Sequence, residues 1–323
     1  MLASLCFLAL TAGGCLSKTG EFKRPGVGRL KDVRFWAYQI QEQHVSGNIK
    51  KLAESDYDLL VIDQVRSIKG DEDYDDRADV SRLKRTRGAS GKRKIVLCYI
   101  DVGEAESYRR YWRDGWQVGK PGWIVAEDPD GWDENYPVKV WASKWREIMK
   151  KSVDRIVDDG YDGIYLDWLE VYSFGPVEEA ADEEGLDSRE ELIDFVTDLA
   201  RYARSKKPDF IFIAQNAAEL GRDPAYMRVF DAIAQEAIWY DGSGDPDTGK
   251  QPGDRRIDPE DSQDYLDHLG RWSRLGRPVF DVEYAAKAEN ARQAYRLGAE
   301  HGLKTYVTLR PLAALTENKP PGY

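Results

Sequence analysis

Cysteine and histidine are both scarce in this sequence of 323 residues, which contains three of each. The cysteines show no pairing pattern, so a disulfide-stapled scaffold is excluded. The histidines lie far apart in the chain and none has a neighbour at metal-ligand spacing, so we predict no metal site. No glycine-rich phosphate loop follows the first predicted strand, and we therefore predict no nucleotide or other cofactor.

Positive charge is also in short supply, because 47 Lys and Arg stand against 58 Asp and Glu, which gives a formal net charge of -11. This balance argues against nucleic acid as a partner and fits a neutral or cationic ligand. The hydrophobic share of 41% allows a sizeable core. Ten Trp and eighteen Tyr can fill that core, but they can also stack on sugar rings.

The N-terminal apolar run, residues 1–14, is too short to span a bilayer and ends in small residues directly before Cys15. This pattern is typical of a bacterial lipoprotein signal peptide, with Cys15 as the lipidated first residue of the mature chain. We therefore predict an exported protein of the bacterial cell envelope, periplasmic or at the cell surface, held at a membrane by a lipid on Cys15. An ordinary secretory signal is the alternative. The polar residues 15–32 are predicted to form a tether.

Strand-like and helix-like segments alternate along residues 33–312. The strand-like segments are rich in β-branched and aromatic residues, and they are 34–41, 59–65, 94–102, 163–169, 210–215, 232–240, 278–284 and 304–309. Helical periodicity separates most of them, as in residues 144–159 before Gly160. This order predicts one α/β domain, a (β/α)8 TIM barrel with long βα loops, followed by an irregular tail over 313–323. An open doubly wound sheet is the alternative.

Three local signals refine the helix boundaries. Ser46 is predicted to cap the first helix of the barrel, and Ser188 with Glu191 is predicted to form a capping box. Residues 107–114 are predicted to form a short aromatic helix after the third strand.

Carboxylates recur where the predicted strands end. In a (β/α)8 barrel these ends surround a single mouth, and the polar residues predicted there include Asp63, Asp101, Glu104, Asp167, Asn216, Glu236, Asp281 and Arg310. Each acid alone could cap a loop or pair with a buried arginine. Because uncompensated buried carboxylates are costly, their recurrence at one end of the barrel favours a functional site.

Paired carboxylates with aromatic residues, but without a metal or cofactor motif, suggest glycoside hydrolysis. In that reaction one carboxylate stabilises or attacks the anomeric carbon and a second carboxylic acid protonates the leaving oxygen. Asp167 and Glu236 are our candidates, because they lie on the fourth and sixth strands, far enough apart around the ring to flank a bond. Neighbouring like charges would raise the pKa of one of them and keep it protonated near neutrality.

Two motifs carry a more specific resemblance. Val96–Glu106 reads Val-Leu-Cys-Tyr-Ile-Asp-Val-Gly-Glu-Ala-Glu, and Gly160–Asp167 reads Gly-Tyr-Asp-Gly-Ile-Tyr-Leu-Asp. Both resemble glycoside hydrolase family 114, the endo-α-1,4-polygalactosaminidases and related barrel proteins. The resemblance implies a (β/α)8 barrel, retaining hydrolysis, Asp167 as nucleophile and Glu236 as acid/base. Asp101 departs from the family motif, where a small polar residue is expected, and this extra acid would alter substrate contacts.

The implied partner is an amino-sugar polysaccharide of the α-1,4-linked galactosamine type. Its ammonium groups would be attracted to an acidic mouth. The predicted substrate-binding residues are Asp63, Asp101, Glu104, Tyr165, Asn216, Trp239, Asp281 and Arg310, and further candidates for ring stacking are Trp123 and Trp132.

Other classes of protein remain to be weighed against a glycosidase. The alternative is a non-catalytic carbohydrate-binding lipoprotein on the same barrel. An aminoacyl-tRNA synthetase-like function is excluded by the negative charge and the lack of ATP motifs, and a deacetylase is disfavoured by the lack of a histidine cluster.

Overall fold

The computed structural model describes residues 25–129, 131–242 and 254–323, and these residues contain ten strands. Eight of them form one parallel sheet and lie side by side in chain order: β1 (Trp36–Tyr38), β2 (Leu59–Ile62), β3 (Ile95–Asp101), β6 (Gly163–Asp167), β7 (Ile211–Gln215), β8 (Ala232–Asp241), β9 (Val279–Tyr284) and β10 (Lys304–Thr308). β4 (Glu104–Glu106) and β5 (Asn135–Pro137) form a separate antiparallel pair. Because β10 returns to the side of β1, the sheet forms a nearly closed barrel, and the predicted (β/α)8 architecture is confirmed.

Helices surround this sheet. They are α1 (Pro25–Lys31), α2 (Asn48–Glu54), α3 (Asp76–Lys84), α4 (Ser143–Asp159), α5 (Gly175–Glu183), α6 (Ser188–Lys206), α7 (Pro224–Val229), α8 (Pro259–Arg274) and α9 (Ala288–Glu300). Short 3₁₀ turns follow β2, β6 and β7, at residues 65–67, 169–173 and 218–222. None of the helices in the described ranges has the length and apolarity needed to cross a membrane.

The α4 helix shows how the sequence pattern produces this packing. Its apolar residues recur at spacings of three and four, so that Trp145, Met149 and Ile156 are buried on one face. The Trp145 indole donates a hydrogen bond to the Val102 carbonyl, at 2.9 Å. The helix ends at Gly160, whose φ of 88° is left-handed and favours glycine. The chain can therefore turn directly into β6.

Aromatic side chains fill the barrel interior. The rings of Tyr38 and Tyr165 lie 5.1 Å apart, and those of Trp36 and Phe280 lie 5.3 Å apart. These residues come from β1, β6 and β9 and are buried. The interior is therefore a packed layer rather than a channel, and the mouth at the carboxyl ends of the strands is closed from below.

The chain after β10 covers the seam between β10 and β1. The Leu312 carbonyl accepts hydrogen bonds from the backbone of Ile40 and Gln41, at 3.1 and 3.2 Å. At the end of the tail, the Tyr323 ring packs 4.9 Å from the Tyr57 ring. Residues 313–323 contain no helix or strand, but they are a packed part of the barrel rather than a loose extension.

The predicted tether of residues 15–32 extends too far at its C-terminal end, because α1 packs against the amino ends of the strands. Leu30 is fully buried there, and Arg29 pairs with Asp162 at 2.9 Å. Gly26 lies so close to Asp231 that a Cβ would be 2.7 Å from its carboxyl carbon. The signal peptide predicted for residues 1–14 and the proposed lipid site Cys15 lie outside the described residues.

Two predicted caps are wrong by one residue, and one predicted helix is absent. Gly47, not Ser46, precedes α2, and Asp187, not Ser188, caps α6 by accepting the backbone N–H of Glu190 at 2.9 Å. The Ser188 hydroxyl instead donates to the Tyr172 carbonyl at 2.7 Å. Residues 107–114 form turns, because Arg109 is held by two carboxylates described below.

Candidate active site

Asp167 and Glu236 end up on the same side of the barrel, at the mouth. Asp167 is the last residue of β6, and Glu236 lies on β8 before a bulge in that strand. One strand, β7, separates them, so their backbones are roughly 10 Å apart, two strand spacings. Both side chains are partly exposed. This arrangement leaves room for a bond of a bound substrate between the two carboxyl groups.

The Asp167 carboxylate accepts two hydrogen bonds. The Tyr99 hydroxyl donates to Oδ2 and the Trp168 backbone N–H donates to Oδ1, each at 2.8 Å. These donors favour the ionised form, but burial and the nearby charge of Glu236 together raise the pKa of Asp167 to about 7. The charge of Glu236 therefore acts directly on the protonation of Asp167.

The Glu236 carboxylate is held from two sides. The Tyr284 hydroxyl donates to Oε1, and the Asn216 amide lies 3.4 Å from Oε2. The Asn216 side-chain oxygen in turn accepts the Glu236 backbone N–H at 3.0 Å and the Gln235 amide at 2.9 Å. Asn216, directly after β7, thus fixes both the backbone and the side chain of Glu236.

The backbone is left-handed just after the strand ends that carry these groups. Trp168, Asn216, Ala217 and Ala237 have φ values of 54°, 58°, 50° and 50°, which non-glycine residues rarely adopt. Each costs roughly 1–2 kcal/mol. Such strain persists only where the surrounding structure imposes it, and it is concentrated at functional sites. Here the strained positions directly follow the two candidate acids or lie directly after β7, the strand between them.

A second acidic group lies beside the first. Asp101 is paired in register with Asp167, and its Oδ1 accepts the backbone N–H groups of Gly103 and Glu104 at 3.0 and 2.8 Å. The Glu104 carboxyl contacts the Asn135 amide at 3.1 Å and lies against the Asp128 carboxyl. Burial, followed by the charge of Asp128, raises the pKa of Glu104 to about 9. Burial also raises the pKa of Asp101.

Within the described part of the chain, Asp101, Glu104, Asp167 and Glu236 form no ion pair, and one Asp101 oxygen is buried without a hydrogen-bond partner. Unpaired buried oxygens are unfavourable unless a ligand or a proton satisfies them. The mouth therefore concentrates acidic groups without compensating cations, which suits a cationic ligand.

Asp63 occupies a different environment, because an arginine that the sequence analysis missed neutralises it. Arg109 donates to both Asp63 oxygens, at 2.9 and 2.8 Å, and to Glu106 at 2.7 Å. All three groups are buried. The Arg109 cluster ties the long segment after β3 to the end of β2, so Asp63 is not available to a substrate. The Glu-x-x-Arg spacing of Glu106 and Arg109 is the signal that could have revealed it.

Asp281, Trp239 and Tyr165 are not exposed at the mouth either. Phe280 points into the barrel, so Asp281, the next residue of β9, faces the helices, where Thr305 donates to it at 2.8 Å. The Trp239 indole is 5% exposed and lies 6.2 Å from the His301 ring. Tyr165 is fully buried in the barrel interior. The predicted direct contacts of these three with a substrate have no geometric support.

The tryptophan candidates separate into core and rim. Trp123 is buried under the long segment after β3, with its ring 5.0 Å from Trp116 and 5.6 Å from Trp145. Trp132 is 49% exposed, and the Arg310 guanidinium lies 5.8 Å from its ring centre. Since the Trp132 backbone N–H donates to Asp128, this exposed ring stands at the edge of the acidic mouth.

The described ranges contain no group of three or more His, Cys, Asp or Glu side chains arranged to hold a metal ion. Cys98 is a buried free thiol whose pKa is raised by burial. It has the character of an inert core residue.

A barrel whose mouth holds two coupled carboxylates on nearby strands has the form of a glycoside hydrolase. The sequence matches glycoside-hydrolase family GH114 over residues 18–319, and the chain belongs to that family. The family resemblance stated above is confirmed, and the protein is a glycosidase. An uncharacterised protein of Deinococcus radiodurans is 31% identical over 302 residues, covering 94% of this chain and 88% of the relative.

Two solved structures share the fold. The glycoside hydrolase domain of PelA from Pseudomonas aeruginosa superposes with a TM-score of 0.62 at 22% identity, covering 88% of this chain and 97% of that domain. Ega3 of Aspergillus fumigatus, in complex with galactosamine, gives 0.60 at 18% identity, covering 91% and 96%. At these identities the likeness establishes the barrel and its topology.

Proposed function

We propose that this glycosidase cleaves an α-1,4-linked, galactosamine-type polysaccharide by a retaining mechanism with two carboxylates. The observation that carries the proposal is the pairing of Asp167 with Glu236 at a mouth whose acids lack cationic partners among the described residues. Family membership and the galactosamine bound to Ega3 point to the same substrate class.

In the first step Asp167 is the nucleophile. Its carboxylate attacks the anomeric carbon while the Glu236 carboxylic acid gives its proton to the leaving glycosidic oxygen, so one C–O bond forms as another breaks. The hydrogen bonds from Tyr99 and Trp168 orient Asp167 and favour its charged form. Asn216 and Tyr284 hold Glu236 toward the substrate.

In the second step the glycosyl-enzyme is hydrolysed. Glu236, now ionised, takes a proton from water, and the hydroxide attacks the anomeric carbon and releases Asp167. With the proton from water on Glu236 and Asp167 again a free carboxylate, the starting state is restored. Asp167 must be ionised for the first step, and its pKa of about 7 predicts that activity falls as the pH drops below neutrality.

The substrate class follows from the charge of the mouth. Asp101 and Glu104 are almost fully buried, so they would act on a bound ammonium group through their charge rather than by direct contact, and a nearby cation would favour the ionised form of both acids. Trp132 offers an exposed ring at the edge of the mouth for stacking on a sugar face. We also propose that the chain is exported and anchored through a lipid on Cys15, as its first fifteen residues indicate.

The test is to incubate the full-length protein with α-1,4-galactosamine oligomers and to analyse the products by mass spectrometry, with D167N and E236Q in parallel. Shorter oligomers from the wild type alone support the proposal, and each variant should lose roughly 10³-fold or more of kcat. Wild-type turnover by D167N would rule out Asp167 as the nucleophile. Binding of the oligomers without cleavage would favour the second candidate, a carbohydrate-binding lipoprotein.

A further inference from the structure

A bulge of four residues in β8 begins directly after Glu236. In the pairing of β8 with β9, Glu236 lies opposite Val282 and Asp241 lies opposite Tyr284. Four residues of β8, 237–240, therefore face a single residue of β9, Glu283. The bulge begins at Ala237, whose φ is 50°. Bulges of this kind re-aim a neighbouring side chain, and this one follows the proposed catalytic acid.

The Glu283 carboxylate binds the backbone of this bulge. Its two oxygens accept the N–H groups of Ile238 at 2.7 Å, Trp239 at 3.1 and 3.2 Å, and Tyr240 at 2.7 Å. Three successive N–H groups that would otherwise lack strand partners are thus satisfied by one buried side chain. The next residue of β9, Tyr284, binds the Glu236 carboxylate from the inner side of the sheet.

The side chain next to the Glu283 carboxylate is a second carboxyl group, that of Asp281, and not a cation. Glu283 is fully buried beside Asp281, also fully buried, and within the described part of the chain neither forms an ion pair. Burial raises the pKa of both groups. Two carboxylates in contact need a shared proton, and the three N–H donors favour the negative charge on Glu283. These donors therefore favour a proton on Asp281, carried toward Glu283 by the Asp281 Oδ1, which has no other hydrogen-bond partner among the described residues.

We propose that Glu283 is a positioning residue for Glu236, and that protonated Asp281 supports it. By binding the N–H groups of residues 238–240, Glu283 holds the bulge that aims Glu236 at the mouth. This role rests on the proposed function of Glu236 as acid/base. Glu283 itself does not touch the substrate, since it lies on the helix side of β9.

The experiment compares E283Q with a matched control, D231N. Asp231 is also buried, stands just before β8, and accepts the Phe212 backbone N–H at 3.1 Å and Arg204 at 3.0 Å, but at the far end of the strand. In E283Q an amide N–H₂ would face backbone donors, so kcat should fall on the order of 10–100-fold with little change in KM, because small misplacements of a catalytic group have effects of this size. D231N should lower the melting temperature and leave kcat unchanged.

Variants of Asp281 test the shared proton. In D281N the amide can still donate to Glu283 and accept from Thr305, so kcat should stay within about threefold of wild type, whereas D281L should resemble E283Q. Wild-type kcat in E283Q, or an equal loss in E283Q and D231N, would overturn the positioning role. If D281N lost activity while E283Q remained active, the proton would belong on Glu283, and the proposed role of protonated Asp281 would be overturned.

A second readout is independent of turnover. Crystal structures of wild type and E283Q should show Ala237 leaving the left-handed region and the Glu236 carboxyl displaced in the variant. An unchanged bulge would overturn the proposal even if the wild type proved inactive on galactosamine oligomers. Wild-type inactivity with a displaced Glu236 in E283Q would instead count against the proposed function alone.

Discussion

Buried aspartates stand at both ends of this barrel, but their surroundings are opposite. Asp58, Asp162 and Asp231 each directly precede a strand, and each accepts a backbone N–H from a neighbouring strand or loop. Asp162 also pairs with Arg29 and Lys84, and Asp231 pairs with Arg204. At the mouth, Asp101 and Asp167 accept backbone N–H groups too, but no cation accompanies them in the described residues.

The pKa shifts follow this difference. Burial opposes ionisation of Asp162, yet the charges of Arg29 and Lys84 outweigh it, so the pKa of Asp162 is lowered. The pKa of Asp167 is raised to about 7, because burial and Glu236 act in the same direction. The aspartates at the amino end of the strands thus contribute to stability, whereas Asp101 and Asp167 at the mouth keep unfavourable charges that fit the proposed chemistry.

The largest expected stability effect lies at the amino end of the strands. Asp162→Asn should lower the free energy of unfolding by about 2–3 kcal/mol, because it leaves Lys84 and Arg29 without their buried partner. A lowered pKa in the folded state contributes stability above the unfolded pKa, so the loss should be full at pH 7 and shrink as the acid is protonated below pH 4. Urea unfolding at both pH values measures it, and equal losses at both would contradict the ion-pair explanation.

Glu104→Gln should have the opposite effect and raise the free energy of unfolding. Because the folded-state pKa of Glu104 is about 9, the wild-type protein loses folding stability as the pH rises from the unfolded-state pKa of this residue toward 9. The variant should be more stable than wild type by roughly 1–3 kcal/mol at pH 8 and equal to it near pH 4. Thermal unfolding at the two pH values provides the comparison. A variant less stable than wild type at pH 8 would show that the buried Glu104 carboxyl does not destabilise the folded protein.

Tyr99→Phe tests how the hydrogen bonds of the mouth set the pKa of Asp167. It removes the hydroxyl that lowers the pKa of Asp167, so that pKa should rise above about 7 and the acid limb of the pH–rate profile should move to higher pH. Losing one hydrogen bond to a charged group should reduce kcat about tenfold at neutral pH. An unshifted acid limb would show that Asp167 does not control it.

The smallest expected effect is at the rim. Trp132→Ala should raise KM by roughly 2–10-fold with kcat unchanged, the size expected for loss of one stacking contact. Trp123→Ala is the matched control: it removes a buried ring of the aromatic cluster, so the melting temperature should fall instead. Steady-state kinetics and thermal unfolding of both variants separate the roles, and an unchanged KM in Trp132→Ala would remove Trp132 from the binding surface.

Much of this protein could be predicted from its sequence. Runs of β-branched and aromatic residues located all eight barrel strands, and period-3.6 patterns located most helices, because both are local features of the sequence. The strand ends then identified Asp167 and Glu236 as mouth residues. The helix caps failed at Ser46 and Ser188, where neighbouring residues offered equally good caps and packing decided between them.

Side-chain direction and charge pairing were decided only by the tertiary structure. Asp281 lies near a strand end in sequence, but the alternation of β9 turns it toward the helices. The sequence suggested that Asp63 was available to a substrate, but in the folded chain Arg109, 46 residues away, binds its carboxylate. Neither the bulge after Glu236 nor its support by Glu283 leaves a local signal, because both depend on the pairing of β8 with a strand more than forty residues later. Sequence period determines where a strand ends, whereas contacts between distant segments determine which carboxylates remain free to act.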